Sequence, residues 1–138
     1  MKQLYTIKEP IGKIKTPSDL FNKIKYIKIN YEQENFIIFC LNTKNQVIHS
    51  EVLFKGGLNS CDIDFRTVFK LALKHNSNSL IFAHNHPSGH LQPSTEDRNV
   101  LNDLKDGGKI LHISVLDMII FNKTAYYTMN GNNTDEVI

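Results

Sequence analysis

No stretch of this 138-residue chain is apolar for long enough to cross a bilayer. Runs such as Leu80 to Ala83 and Met118 to Phe121 fall far short of the ~18 residues that spanning requires, and no secretory leader opens the sequence. A cytoplasmic protein without a membrane partner is expected. Cysteine is scarce as well: Cys40 and Cys61 form no C-x-x-C pair and are too few to staple a secreted mini-domain, which leaves them as small core residues or surface thiols. Nor is there a charge excess. Sixteen Lys and Arg against 14 Asp and Glu leave +2, too near balance to make nucleic acid or an anionic membrane the default partner. Seven Lys against Glu9 and Asp19 do give Met1 to Lys28 a balance of +5, with −3 on the remainder. Lys13, Lys15, Lys23, Lys25 and Lys28 alternate with Ile and Phe, however, as on a solvated face.

What is present suits one compact core: 41% apolar and 22% charged residues in 15.8 kDa leave little room for a second domain. No repeat or low-complexity linker divides the chain, so the expected organisation is a Lys-rich lead with a short helix (1–30), one domain (31–129) and a frayed Asn- and Gly-rich tail (130–138). Thr16 caps the lead helix, with Pro17 at its first position and Leu20, Phe21 and Ile24 as its apolar face. Phe36 to Leu41 and Val47 to Phe54, rich in β-branched and aromatic residues, flank a polar turn and read as an antiparallel hairpin that Gly56-Gly57 ends. Helical spacing from Phe65 to Leu73 follows, then a short buried strand, Leu80 to Ala83. A helix capped by Ser94 is expected to stop at Gly107-Gly108, before a buried strand from Ile110 to Phe121 and a last strand from Ala125 to Met129. The fold class is therefore α/β (α+β), a mixed sheet flanked by helices.

The chemistry gathers where the third strand ends. Residues two apart on a strand share a face, so His84 and His86 aim both imidazoles at one point beyond Ala83, and Pro87 stops the ladder there. Two imidazoles suit a cation, but a catalytic zinc site takes a third protein ligand and keeps an open fourth position. Asp97, early in the next helix, can supply the third once the Pro87 to Pro93 loop folds back. Ser94-x-x-Asp97 is also an N-cap with an acidic third position, a structural device that presents amide donors at the same place. Hydrolysis needs a base that is not a ligand; Glu51, in the strand before Gly56-Gly57, is the first choice, with Glu34 and Glu96 as alternatives.

Together these residues spell E-(x)n-H-x-H-x7-S-x2-D: Glu51, His84-Asn85-His86, Pro87 to Pro93, Ser94 and Asp97. The pattern resembles the JAMM motif of MPN-type zinc metalloproteases. His84-Asn85-His86-Pro87-Ser88-Gly89, Pro93-Ser94-x-x-Asp97 and Leu116-Asp117 are similar to the bacterial RadC family, over roughly Asn35 to Met129. That resemblance implies a mostly antiparallel MPN/JAB-like sheet of cytidine-deaminase-like architecture, and Zn2+ held by His84, His86 and Asp97. It also implies Glu51 as general acid/base, Ser94 on the oxyanion, and hydrolysis of a peptide, isopeptide or related amide bond. The family name attaches a DNA-repair link that no residue chemistry here explains. Two places depart from the family pattern: Phe65-Arg66-Thr67 stands where Pro-Arg-Glu is usual, and Leu116-Asp117-Met118 where Leu-Asp-His is. Longer relatives carry a helix-hairpin-helix ahead of this domain, for which Met1 to Lys28 leaves no room, and direct DNA binding is correspondingly disfavoured. A contiguous His-Asn-His is not the spread-out HNH nuclease constellation. A zinc deaminase would need H-x-E with P-C-x-x-C, and an H-x-H amidohydrolase would need a barrel of roughly 250 residues. The rival expectation is a zinc-bearing, non-catalytic interaction module of a DNA-processing assembly that docks through Met1 to Lys28. Substrate and oligomeric state cannot be read from the residues.

Overall fold

The computed structural model describes residues 13–56 and 63–130; Gly57, Cys61, the first twelve residues and the tail from 131 lie outside them. Three helices and five strands follow in the order α1 (Pro17–Ile24), β1 (Asn35–Leu41), β2 (Val47–Lys55), α2 (Phe65–Lys74), β3 (Ser79–Asn85), α3 (Thr95–Leu111), β4 (Ser114–Phe121) and β5 (Tyr126–Thr128). One mixed sheet runs β2-β1-β3-β4-β5, with every neighbouring pair antiparallel except β3 and β4. The expected fold class is borne out.

Every residue of β1 and β3 is buried, because both central strands are covered on both faces. Alternate residues feed two cores. Phe36, Ile38, Cys40, Leu80, Phe82 and Met118 meet α2 and α3 through Val68, Ala72, Val100, Leu101 and Leu104. On the opposite face Ile37, Phe39, Ile81, Ala83, Ile119 and Phe121 meet Leu20, Phe21 and Ile24 of α1. The core of the sheet thus includes side chains of the lead segment. Thr16 starts α1 with a capping box to Asp19, and Pro17 sits in the first turn, as the spacing predicts. Lys13, Lys15, Lys25 and Lys28 are exposed.

The hairpin turn is made by Asn42, whose Oδ1 accepts from the amides of Lys44 and Gln46, both at 2.9 Å, while Asn45 takes a left-handed φ of 59°. Helix α2 starts at Asp64, which accepts from the Arg66 amide at 3.1 Å and from the Thr67 hydroxyl at 2.8 Å. Arg66-Thr67 therefore serves a helix start in this chain.

The passage from α3 to β4 differs most from the expectation. Gly107-Gly108 does not end α3; the helix continues to Leu111 and closes on His112, held left-handed at φ 60°. The Ile113 amide donates to the Gly108 carbonyl at 2.8 Å and the His112 amide to Lys109 at 3.4 Å, the paired bonds of a Schellman end. The glycines are there for close approach: a Cβ on Gly108 would run into the Ile113 carbonyl, and one on Gly107 would stand 2.8 Å from the Phe69 ring. Ile110 and Leu111 are consequently helical and exposed, and β4 begins only at Ser114.

Candidate metal centre

The parallel β3–β4 pair leaves the carboxyl end of β3 pointing out of the sheet, where the chain must turn to enter α3. His84 lies opposite Phe36 of β1 and Ile120 of β4, 1% exposed. His86 is the first residue past the strand, its ring centroid 5.0 Å from that of His84. Gly89 makes the turn at φ +84°, a conformation open to glycine. Its amide donates to the His86 carbonyl at 2.8 Å and its carbonyl accepts from Asn122 Nδ2 at 2.9 Å, which ties the loop to the β4–β5 turn.

This fold-back delivers Asp97. One carboxylate oxygen is 3.4 Å from His84 Nε2 and the other 3.2 Å from His86 Nε2. Ser94 and Asp97 also form the capping box of α3: the Asp97 amide donates to Ser94 Oγ at 3.0 Å and the Ser94 amide to Asp97 Oδ2 at 2.8 Å. The cap places Asp97 beside both imidazoles, so the structural reading of Ser94-x-x-Asp97 holds and is compatible with the functional one. Ser94 is exposed, and its hydroxyl proton is not consumed by the cap, in which Oγ accepts. Glu96, exposed at the start of α3, reaches a narrow crevice between helix and sheet with Ile63, His84, Asp97, Val100 and Met118. Met118, where the family pattern has His, therefore forms an apolar wall beside His84.

The electrostatics suit a cation. Burial pushes His84 down to about 4, against the pull of Asp97, so the imidazole is neutral near neutrality. His86 is raised, first by its hydrogen bond to Asp97. Burial alone would raise Asp97, but the hydrogen bond from His86 and the charge of His84 outweigh it and hold the carboxyl at about 2. Both ring nitrogens of His84 are buried without a hydrogen-bond partner, a costly condition that a cation on Nε2 would relieve at one of them. The His90 carbonyl, 3.0 Å from His86 Nδ1, accepts its proton and leaves Nε2 to face the centre. Two imidazoles and a carboxylate fit zinc.

Glu34 is the carboxylate that joins this group. One of its oxygens and a nitrogen of each of His84 and His86 lie within 4.8 Å of one another. Glu51, the first choice from sequence, is not brought there. It pairs with Ile38, which pairs with Phe82, two residues back from His84 and two strands away, roughly 12 Å by strand geometry. Its carboxylate binds His49 Nε2 at 2.8 Å and is 44% exposed. The signal for Glu34 was the β1–β3 register: Phe36 pairs with His84, so continuing the antiparallel ladder by two residues sets Glu34 beside His86.

A histidine pair at a strand end, a capping carboxylate behind it and a glutamate just before the adjoining strand form a group that could hold a metal ion, on a mixed sheet between helices consistent with the JAB/MPN class. The sequence pattern of the RadC-like JAB domain matches residues 14–134, and the chain belongs to that family. It is 42% identical over 124 residues to the UPF0758 protein of Methanosarcina barkeri, covering 89% of this chain and 54% of that protein. It is 44% identical over 117 residues to that of Staphylococcus haemolyticus, covering 85% and 51%, and 35% identical over 127 residues to that of Chlorobium chlorochromatii, covering 92% and 57%. The chain spans about half the length of these relatives. Among the described residues no helix is long and apolar enough to cross a membrane.

Proposed function

We propose that the protein is a zinc-dependent hydrolase of peptide, isopeptide or related amide bonds. The observation that carries this reading is the convergence of Glu34, His84 and His86 within 4.8 Å, with Asp97 within 3.4 Å of both imidazoles. His84, His86 and Asp97 would hold the ion, leaving it about one net positive charge. Zinc, when bound, supplies a Lewis acid that polarises a carbonyl and acidifies water toward a pKa of ~7. Glu34, half-buried at the strand end, takes the water proton and returns it to the leaving amine. Ser94, whose Oγ accepts in the cap and so keeps its hydroxyl proton, donates to the oxyanion as it forms. Glu51 has no part in the chemistry.

The test is zinc content and turnover together, on a panel of peptide and isopeptide substrates. Wild type is expected to hold about one zinc per chain, as a three-ligand catalytic site does, and to lose it in the folded His84→Ala/His86→Ala double variant. Glu34→Gln should keep zinc and lose turnover. Unchanged turnover in Glu34→Gln removes Glu34 from the mechanism, and a wild type that takes up no zinc ends the metal reading.

A further inference from the structure

His84 and His86 face one side of β3, so the residue between them, Asn85, faces the other, where it is 1% exposed. Its Oδ1 accepts from the Asn35 backbone amide at 2.9 Å and from Asn35 Nδ2 at 3.1 Å. Its Nδ2 donates to the carbonyls of Gln33 at 2.9 Å and Tyr31 at 3.3 Å. Three of these partners are backbone groups with fixed donor or acceptor roles, so chemistry alone decides which way the carboxamide points. Asn35 extends the network, its Nδ2 donating to the carbonyls of Asn30 at 2.9 Å and Gln33 at 3.0 Å.

The Gln33 carbonyl belongs to the peptide unit just before Glu34, and the Asn35 amide to the unit just after it. One buried carboxamide therefore grips both planes that flank Glu34. The Gly56 amide, donating to the Glu34 carbonyl at 2.9 Å, pins the second plane from the β2 side. With both planes held, φ and ψ at Glu34 are fixed and only its side-chain torsions remain.

We propose that Asn85 is the positioning residue of the metal centre: with Asn35 it clamps the backbone on either side of Glu34 and so sets that carboxylate against His84 and His86. This inference rests on the reading of the site given above. Because the clamp sits on the same strand as the two histidines, carboxylate and ligands keep their spacing when the strand shifts. The residue contributes through Glu34, without touching metal or substrate itself.

The test uses the full chain loaded with Co2+, a paramagnetic substitute for zinc. Metal occupancy, hydrogen exchange at the Asn35 amide and the paramagnetic shifts of the Glu34 side chain are read in wild type, Asn85→Leu and Asn85→Asp. Asn85→Leu should bind Co2+ within a few-fold of wild type, because His84, His86 and Asp97 are untouched. Exchange at the Asn35 amide should rise at least ~10-fold on loss of its acceptor, and the Glu34 shifts should collapse toward an averaged value. Asn85→Asp, which keeps the acceptor for the Asn35 amide, should recover part of both. Should circular dichroism show Asn85→Leu to be unfolded, Asn85→Ala, which removes the same acceptor and donor, carries the same comparison. Glu34 shifts unchanged in a Co2+-loaded variant overturn the clamp while leaving the metal centre standing; a wild type that binds no Co2+ overturns both.

Discussion

Without metal, the buried His84 imidazole should make the protein acid-sensitive by a calculable amount. Its ordinary value of 6.5 falls to about 4 in the fold, with burial as the cause, so the unfolded chain binds this proton more readily than the native one. A histidine depressed in this way opposes folding as pH falls: the cost begins below 6.5 and is complete only below the folded value. Each pH step of one across which the unfolded chain holds this proton and the native one does not is worth ~1.4 kcal/mol, so the loss between neutrality and about pH 4.5 is on the order of 2 kcal/mol. His86, raised, acts with the opposite sign, contributing below its ordinary value and losing that contribution as pH climbs through its folded one. Asp97 lies outside the window, because its contribution disappears only as pH drops from 3.8 toward about 2. The assay is urea unfolding at the two pH values in excess chelator, comparing wild type with His84→Gln. Wild type should lose roughly 1 M in midpoint for a domain of this size, and His84→Gln should lose much less. Saturating zinc should raise the wild type near neutrality by about 2.7 kcal/mol at a hundred times its dissociation constant and leave His84→Gln almost unchanged. Equal acid losses in the two metal-free proteins would refute the assignment of this acid sensitivity to His84.

Three further outcomes follow from particular contacts. Gly108→Ala should destabilise the domain by about 1–2 kcal/mol, because the overlap with the Ile113 carbonyl outweighs the ~1 kcal/mol that alanine normally gains in a helix; a raised melting temperature would contradict the packing argument. His112→Gly should stabilise by about 0.5–1 kcal/mol at the left-handed end of α3, read as a higher urea midpoint at unchanged slope. Glu51→Gln should leave zinc content and turnover intact, since the bond it disturbs is the one to His49 on the edge strand β2, two strands from His84; loss of turnover would return Glu51 to the site.

The elements legible in the sequence are those whose signals are local. Thr16-Pro17 and Ser94-x-x-Asp97 each mark a helix start because the bonds they make lie within three residues. His84 and His86 were legible because strand periodicity alone aims them together. What escaped is set by distant packing. Gly107-Gly108 reads as a stop signal, yet Phe69 lies 38 positions earlier in the chain and only its ring, against Gly107, explains why glycine belongs inside α3. Glu34 and Glu51 have the same chemistry and comparable strand settings; the β1–β3 register separates them, and nothing local in the sequence states which strand pairs with β3.

That register also explains why the site forms at this end of this strand. Two histidines on one face need the strand to stop just where His86 leaves the sheet, and Pro87 enforces the stop by withholding a ladder donor. The carboxylate opposite must come from a partner that enters the sheet there, which an antiparallel neighbour does and a parallel one does not. β1 is that antiparallel neighbour, and its first residue, Asn35, is already held by Asn85. The proposed third ligand, Asp97, comes from a helix start, where it answers at once to the Ser94 amide and to both imidazoles. Strand end, opposing strand start and helix cap are each ordinary pieces of local chemistry. The centre exists because the β2-β1-β3-β4 order brings all three to one edge of the sheet, so a change that slips the β1–β3 register by one residue would turn Glu34 to the opposite face and dismantle the site while leaving every ligand in the sequence.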